Sequence, residues 1–170
     1  MREALRIIES GDPQRIIALL GSPESVVRLR VITELARRGC TGAIPELVAR
    51  LQDESAEVRA SIVRVLAEIG DQSMSEVFAE LQNDPSENVR RLALRGLAKM
   101  DDPRTTAIAT ELYRSGGFFS RQEAIDSLSE DGGVAALDSL NRLALAERNP
   151  WWRHALRKAI RKISSAAPNS

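Results

Sequence analysis

Five arginines stand in near-constant register along the 170-residue chain: Arg28, Arg59, Arg90, Arg121 and Arg153, at intervals of 31, 31, 31 and 32 residues. A guanidinium is planar, permanently charged and rich in donors. A column of them could therefore grip phosphates or an acidic partner, or tie backbone to backbone. Asp53 and Asp84 stand six residues before Arg59 and Arg90, at the preceding turn, whereas Arg28 and Arg121 lack a matching aspartate. Other reactive side chains are sparse. His154 is the sole histidine and Cys40 the sole cysteine. Neither has a partner at the spacing of a nucleophile and base or of a metal site. Cys40 lies beside a predicted helix-terminal glycine, Gly39, where a small packed residue is expected. The carboxylates are scattered and no phosphate-cradling glycine loop is present. No catalytic, metal or cofactor-binding residue is assigned, and the chain reads as a non-enzyme.

The elements that must position the arginines share their period. Before each arginine stands Val27, Val58, Val89, Ser120 or Trp152, and seven places after it Leu35, Leu66, Leu97, Leu128 or Ile160. A V-R-x6-L cassette that recurs in this way marks a repeat protein, because a unit this small cannot bury its apolar face alone and must stack on its neighbours. Ile44, Leu47, Val48 and Leu51 form one helical stripe, with Pro45 tolerated in the first turn. The segment Asp53-Glu54-Ser55-Ala56 interrupts it, Val58, Ile62, Val63, Leu66 and Ile69 resume it, and Gly70 is expected as a left-handed cap. The predicted element is helix, tight turn, helix, in repeats over residues 13–39, 42–70, 73–101, 103–131 and 133–163 of a single array spanning 1–163. A capping helix precedes them, and a disordered tail is expected over 164–170.

Composition narrows the function classes. Aromatics make up 4% of the chain and the formal net charge is zero, so no whole-chain field draws in nucleic acid or an acidic membrane. A lone cysteine cannot form an internal disulfide, no secretory leader pattern precedes the first repeat, and no apolar stretch is long enough to span a bilayer. The expected setting is cytoplasmic.

The pattern Asp53-x4-Val58-Arg59-x6-Leu66-x3-Gly70-Asp71, with Ala43-Ile44-Pro45-Glu46-Leu47 before it, resembles the short HEAT-like repeat of phycobilisome bilin lyases and many bacterial and archaeal scaffolds. The resemblance covers about residues 13–163. It implies an all-α, right-handed α-α solenoid of about five two-helix repeats whose second helices line the concave face. It also implies that Asp53 with Arg59, and Asp84 with Arg90, form a stacked, partly buried ladder. The function expected is a non-catalytic scaffold or adaptor that displays a helical surface to a protein partner. A bilin lyase-type or chromophore-handling subunit is the alternative, and nucleic-acid binding through the basic carboxyl-terminal helix is the second.

Specificity should reside on surface columns, since core columns are committed to packing. Five residues after each cassette arginine stand Thr33, Arg64, Arg95, Asp126 and Lys158, and nine after stand Arg37, Glu68, Lys99, Glu130 and Lys162. Four-residue spacing places both columns on one face. Arg64, Glu68, Arg95 and Lys99 are candidate partner-binding residues, against the alternative of a solvated face with intrahelical pairs. From Leu140 onward seven Lys/Arg face one acid, giving +6 there and −6 over residues 1–139. Residues 151–163 form a basic amphipathic helix that can serve as a terminal cap or as a binding element. Trp151, Arg157 and Lys158 are its candidate contacts. With Phe118 and Phe119, Trp151 could form an exposed aromatic patch or fill gaps in the fourth repeat.

Overall fold

Helices come in pairs along the chain, a six-residue member before a longer one as far as Lys99 and two long members after it, and the 31-residue period is the length of one such pair. A computed structural model describes residues 2–69 and 71–166. Among them there are eleven α-helices and no strand. The chain divides into two compact units, Met1–Asp71 and Gln72–Ser170, where the sequence reads as one array. The expected cap at Gly70 lies outside the described residues.

In the first unit, α1 (Arg2–Ser10) precedes α2 (Pro13–Ala18), α3 (Ser25–Arg37), α4 (Ile44–Ala49) and α5 (Ala56–Ile69). The short members α2 and α4 each carry a proline near the start, which needs no amide partner there. Each closes in a 3-10 turn, Leu19–Gly21 and Arg50–Gln52. Ile16, Ile32, Leu35, Leu47, Ile62 and Leu66 are fully buried. The α3 helix ends before Gly39, whose φ of 63° is a conformation that favours glycine.

The second unit contains α6 (Ser75–Glu80), α7 (Glu87–Lys99), α8 (Thr105–Ser115), α9 (Phe118–Asp131), α10 (Val134–Ala146) and α11 (Pro150–Ala166). Phe78, Leu94, Leu97, Leu128, Leu140 and Leu156 lie at its centre. The α7 helix approaches α6 so closely at Gly96 that a β-carbon there would stand 2.5 Å from the buried Phe78 ring. The sequence predicts a tail from Ser164, but α11 continues to Ala166. Lys162, Ile163 and Ser164 still satisfy a helical register, and Pro168 stops a helix only at its own approach. Residues 167–170 lie outside the described set.

The cassette arginines hold these pairs together by a pattern different from the expected one. Arg59 Nη1 donates to the backbone carbonyls of Asp53 (2.7 Å) and Glu54 (3.3 Å), and Arg90 Nη1 to those of Asp84 (2.8 Å) and Pro85 (3.0 Å). Arg28 does the same at Ser22 and Pro23, and Arg153 at Glu147 and Arg148. The residue six places back therefore supplies its carbonyl, and at Asp53 the carboxylate is left for another task. Asp53 directs that carboxylate to Arg28, with Nε–Oδ2 at 2.7 Å and Nη2–Oδ1 at 2.8 Å, and accepts the Ser55 amide at 2.9 Å. Arg28, which has no aspartate six residues before it, thus makes a bidentate pair with the acid of the following turn. Both side chains are over 90% buried.

A buried pair of this kind matters mainly because breaking it strands a charge. Burial alone would push the Asp53 carboxyl up, but the bonds from Arg28 and the Ser55 amide and the Arg28 charge outweigh it, leaving its pKa below the usual aspartate value. A carboxyl lowered on folding contributes stability that is complete above its unfolded pKa of about 3.9 and is lost as pH falls through the folded value. We therefore expect Asp53→Asn to destabilise the protein by about 3 kcal/mol at neutral pH in urea unfolding. The variant should also lose less stability than wild type between pH 5 and acid values below about 3. An unchanged wild-type acid profile in the variant would remove Asp53 as a source of that dependence.

Candidate functional site

The second helices of the last two pairs, α9 and α11, begin at the same end, as their aromatic residues show. Phe118 at the start of α9 meets Trp151 at the start of α11, with ring centroids 5.3 Å apart, and Trp152 at 5.2 Å. The alternation of short turns and helices makes every second helix parallel, so α9 and α11 lie side by side with their amino ends together.

At that end Trp152 occupies the place in the cassette held by valine in the first three repeats and by Ser120 in the fourth, and only 6% of it is exposed. Its ring makes an edge contact with Tyr113 at 6.0 Å, and the Arg121 guanidinium lies over both rings, 5.2 and 5.8 Å from their centroids. Arg121 donates to Glu147 Oε2 at 3.3 Å, and the Tyr113 hydroxyl donates to the same oxygen at 2.7 Å. Glu147 Oε1 accepts the Asn149 amide at 2.8 Å. Glu147 thus repeats the double task of Asp53 with one more methylene. The Tyr113 bond leads the interactions that hold the Glu147 carboxyl below the usual glutamate range, while burial and that same carboxylate push the tyrosine up. Arg121, without an aspartate six residues back, is thereby tied to the following turn.

Beyond this lock the aromatic surface is open. Phe118, Phe119 and Trp151 are 56%, 74% and 52% exposed, so the three form an apolar patch and do not simply plug the fourth repeat. Glu87 holds the start of α9 by accepting the Gly117 amide at 2.7 Å.

From Trp151 a groove of about 600 Å³ runs along the exposed faces of α9 and α11 and reaches Arg95 on α7. Its floor is small and largely apolar: Ile125 and Ser129 from α9, Ala155 and Ala159 from α11. The α9 side presents Asp126 and Glu130, and the α11 side His154, Lys158 and Lys162. Glu123 is largely covered and is neutralised by Arg91 Nη1 at 3.0 Å, with Arg95 Nε at 3.7 Å.

The structure gathers three of the sequence candidates, Arg95, Trp151 and Lys158, on this groove. Lys99 and Arg157 are exposed but do not line it. Arg64 and Glu68 belong to the first unit, where Arg64 is exposed and Glu68 borders a separate cavity of about 190 Å³ beside Cys40 and Leu35. Asp126, Glu130 and Lys162 come from the same two surface columns that singled out Arg95 and Lys158. Glu123 carries no such signal, because it stands off the columns and is defined by its partners on α7. Among the described residues, no three His, Cys, Asp or Glu side chains are grouped to hold a metal, and no helix is long and apolar enough to cross a membrane.

Paired helices joined by tight turns, most of them tied by an arginine, with a groove along α9 and α11, define an α-solenoid repeat protein. A family model described as HEAT repeats matches residues 13–82 and 74–161, and the chain belongs to that family. No curated protein matches it. Among solved structures, it is similar to the complex of CpcE and CpcF of phycocyanin lyase from Nostoc sp. PCC7120, with 19% identity, a TM-score of 0.68, and 88% of this chain and 98% of that one covered. A designed armadillo repeat protein in complex with the peptide (KR)4 is similar at 18% identity and a TM-score of 0.65, covering 95% of this chain and 86% of that one. At these identities the likeness is one of fold.

The two neighbouring tryptophans differ in what they hold. Trp152→Ala is expected to destabilise the protein by about 3–5 kcal/mol, as for a buried aromatic in a packed core. Trp151→Ala should change stability by less than about 1 kcal/mol, because half of its surface already faces water. Urea unfolding of both variants checks this, and a large loss for Trp151→Ala would make it a packing residue.

Proposed function

We propose that this protein is a non-catalytic binding module, a scaffold or adaptor that receives a segment of a partner protein in the groove along α9 and α11. The observation that carries this reading is the exposed Trp151, packed on Phe118 and opening directly onto a groove whose charged sides flank a floor of small and apolar residues. Large aromatics at the edge of a concave surface are the side chains that anchor protein interfaces. The volume lies in the range of sites that enclose a few ligand groups. Affinity then comes from the aromatic end, and charges along the groove set orientation and encounter.

Charge also separates this reading from nucleic-acid binding. Lys158 and Lys162 on the groove, and Arg157 outside it, would attract phosphates, but Asp126 and Glu130 stand along the other side of the groove. A phosphate backbone in that position meets repulsion on one flank. A single cysteine and zero net charge fit a cytoplasmic setting, which belongs to the same proposal.

Selection from a library of displayed random peptides tests the function. Wild type is expected to enrich a family of related sequences that a Trp151→Ala, Arg157→Glu, Lys158→Glu variant of unchanged helicity does not retain. Failure to enrich any peptide, together with a salt-sensitive shift of generic duplex DNA, would replace the protein-binding reading with the nucleic-acid one.

A further inference from the structure

The two sides of the groove carry opposite charges that do not meet. Asp126 and Glu130 stand one turn apart on α9, and Lys158 and Lys162 one turn apart on α11. Among the described residues no ion pair crosses between the two rows. Asp126 accepts only from Gln122, on its own helix, at 3.0 and 3.1 Å. Neighbouring acids elsewhere in this unit are paired, Glu123 with Arg91 and Glu147 with Arg121. The two open rows thus flank a floor of Ile125, Ser129, Ala155 and Ala159, and only one end of the groove, at Trp151, is aromatic.

We propose that the groove selects an amphipathic helical segment of a partner protein, with an apolar residue at one end for Trp151, basic residues along one flank and acidic residues along the other. This rests on the protein-binding reading and adds the polarity of the partner. The distance from Trp151 to Lys162 is eleven residues of helix, about 16 Å, so the segment needs about three turns. A helix lying between two parallel helices presents one flank to each. Basic side chains then meet Asp126 and Glu130, and acidic side chains meet Lys158 and Lys162. Reversing the helix end for end would also exchange its flanks, but it would carry the apolar residue away from Trp151. The single aromatic end therefore turns two charge rows into a direction-reading device. Each exposed pair contributes little alone, so the rows act chiefly by rejecting the arrangement in which each row faces charges of its own sign.

Two synthetic peptides of identical composition test this. Both are helix-forming, about 16 residues long, with tryptophan near the amino end and a leucine–alanine stripe. One carries lysines on the left flank and glutamates on the right, and the other has the flanks exchanged. Fluorescence anisotropy against the full-length protein at low salt is expected to show one peptide bound at least about tenfold more tightly. The preference should invert in the variant Asp126→Lys, Glu130→Lys, Lys158→Glu, Lys162→Glu, and shrink in the milder Lys158→Gln, Lys162→Gln variant. Circular dichroism verifies that each variant is folded. Equal affinity for the two peptides, with binding lost in Trp151→Ala, would overturn the charge-polarity inference and leave the binding module standing. Binding of neither peptide would also overturn the inference, and the displayed-peptide selection then decides separately whether the module reading survives.

Discussion

Everything in this fold depends on an arginine reaching back to the turn before its own helix. Four of the five cassette arginines donate to the two carbonyls that lie five and six residues upstream, so α3, α5, α7 and α11 are each fixed to the turn that introduces them. At Asp53 and Glu147 that local clamp leaves the turn's carboxylate to join the arginine of the preceding repeat. Two separate tasks, shaping a repeat and joining it to its neighbour, are thereby divided between two groups of the same turn. The core columns can then be regular, with valine before the arginine in three repeats and leucine seven places after it in four.

The fourth repeat shows what happens when the device changes. Its turn, Ser115-Gly116-Gly117, offers no carboxylate, and Arg121 does not clamp it. Glu87 reaches forward to the Gly117 amide, while Arg121 moves over Tyr113 and Trp152 and joins Glu147. Replacement of valine by Trp152 fits this rearrangement, because the larger ring fills the space beside the displaced guanidinium. The same rearrangement leaves Phe118 and Trp151 at the surface. The most irregular part of the array is thus also where its candidate binding surface begins.

The all-helical class and repeat family were legible because a core column cannot vary without leaving a cavity or a clash, so Val58, Val89, Leu66 and Leu97 keep the period visible. The joint was less legible. Asp53 and Arg59 are close in sequence and invite pairing, whereas the bond runs between Arg28 and Asp53, 25 residues apart. Only the stacking of one turn on another brings those two together. The groove was legible in part: its charged rows belong to the surface columns, and Trp151 stands out as a large apolar residue at a position otherwise varied. Glu123 was not, since its importance comes from Arg91 on another helix.

The carboxylate of Asp53, and that of Glu147, joins an arginine that lies earlier in the chain, so the joint between repeats has a head and a tail. A head-to-tail joint is reusable: a copied repeat brings both a forward-facing arginine and a backward-facing acid, and fits its parent without any compensating change. Arrays of this kind can lengthen by duplication of a DNA segment. Altering a single joint, by contrast, requires the kind of coordinated exchange seen at Trp152, Arg121 and Glu147.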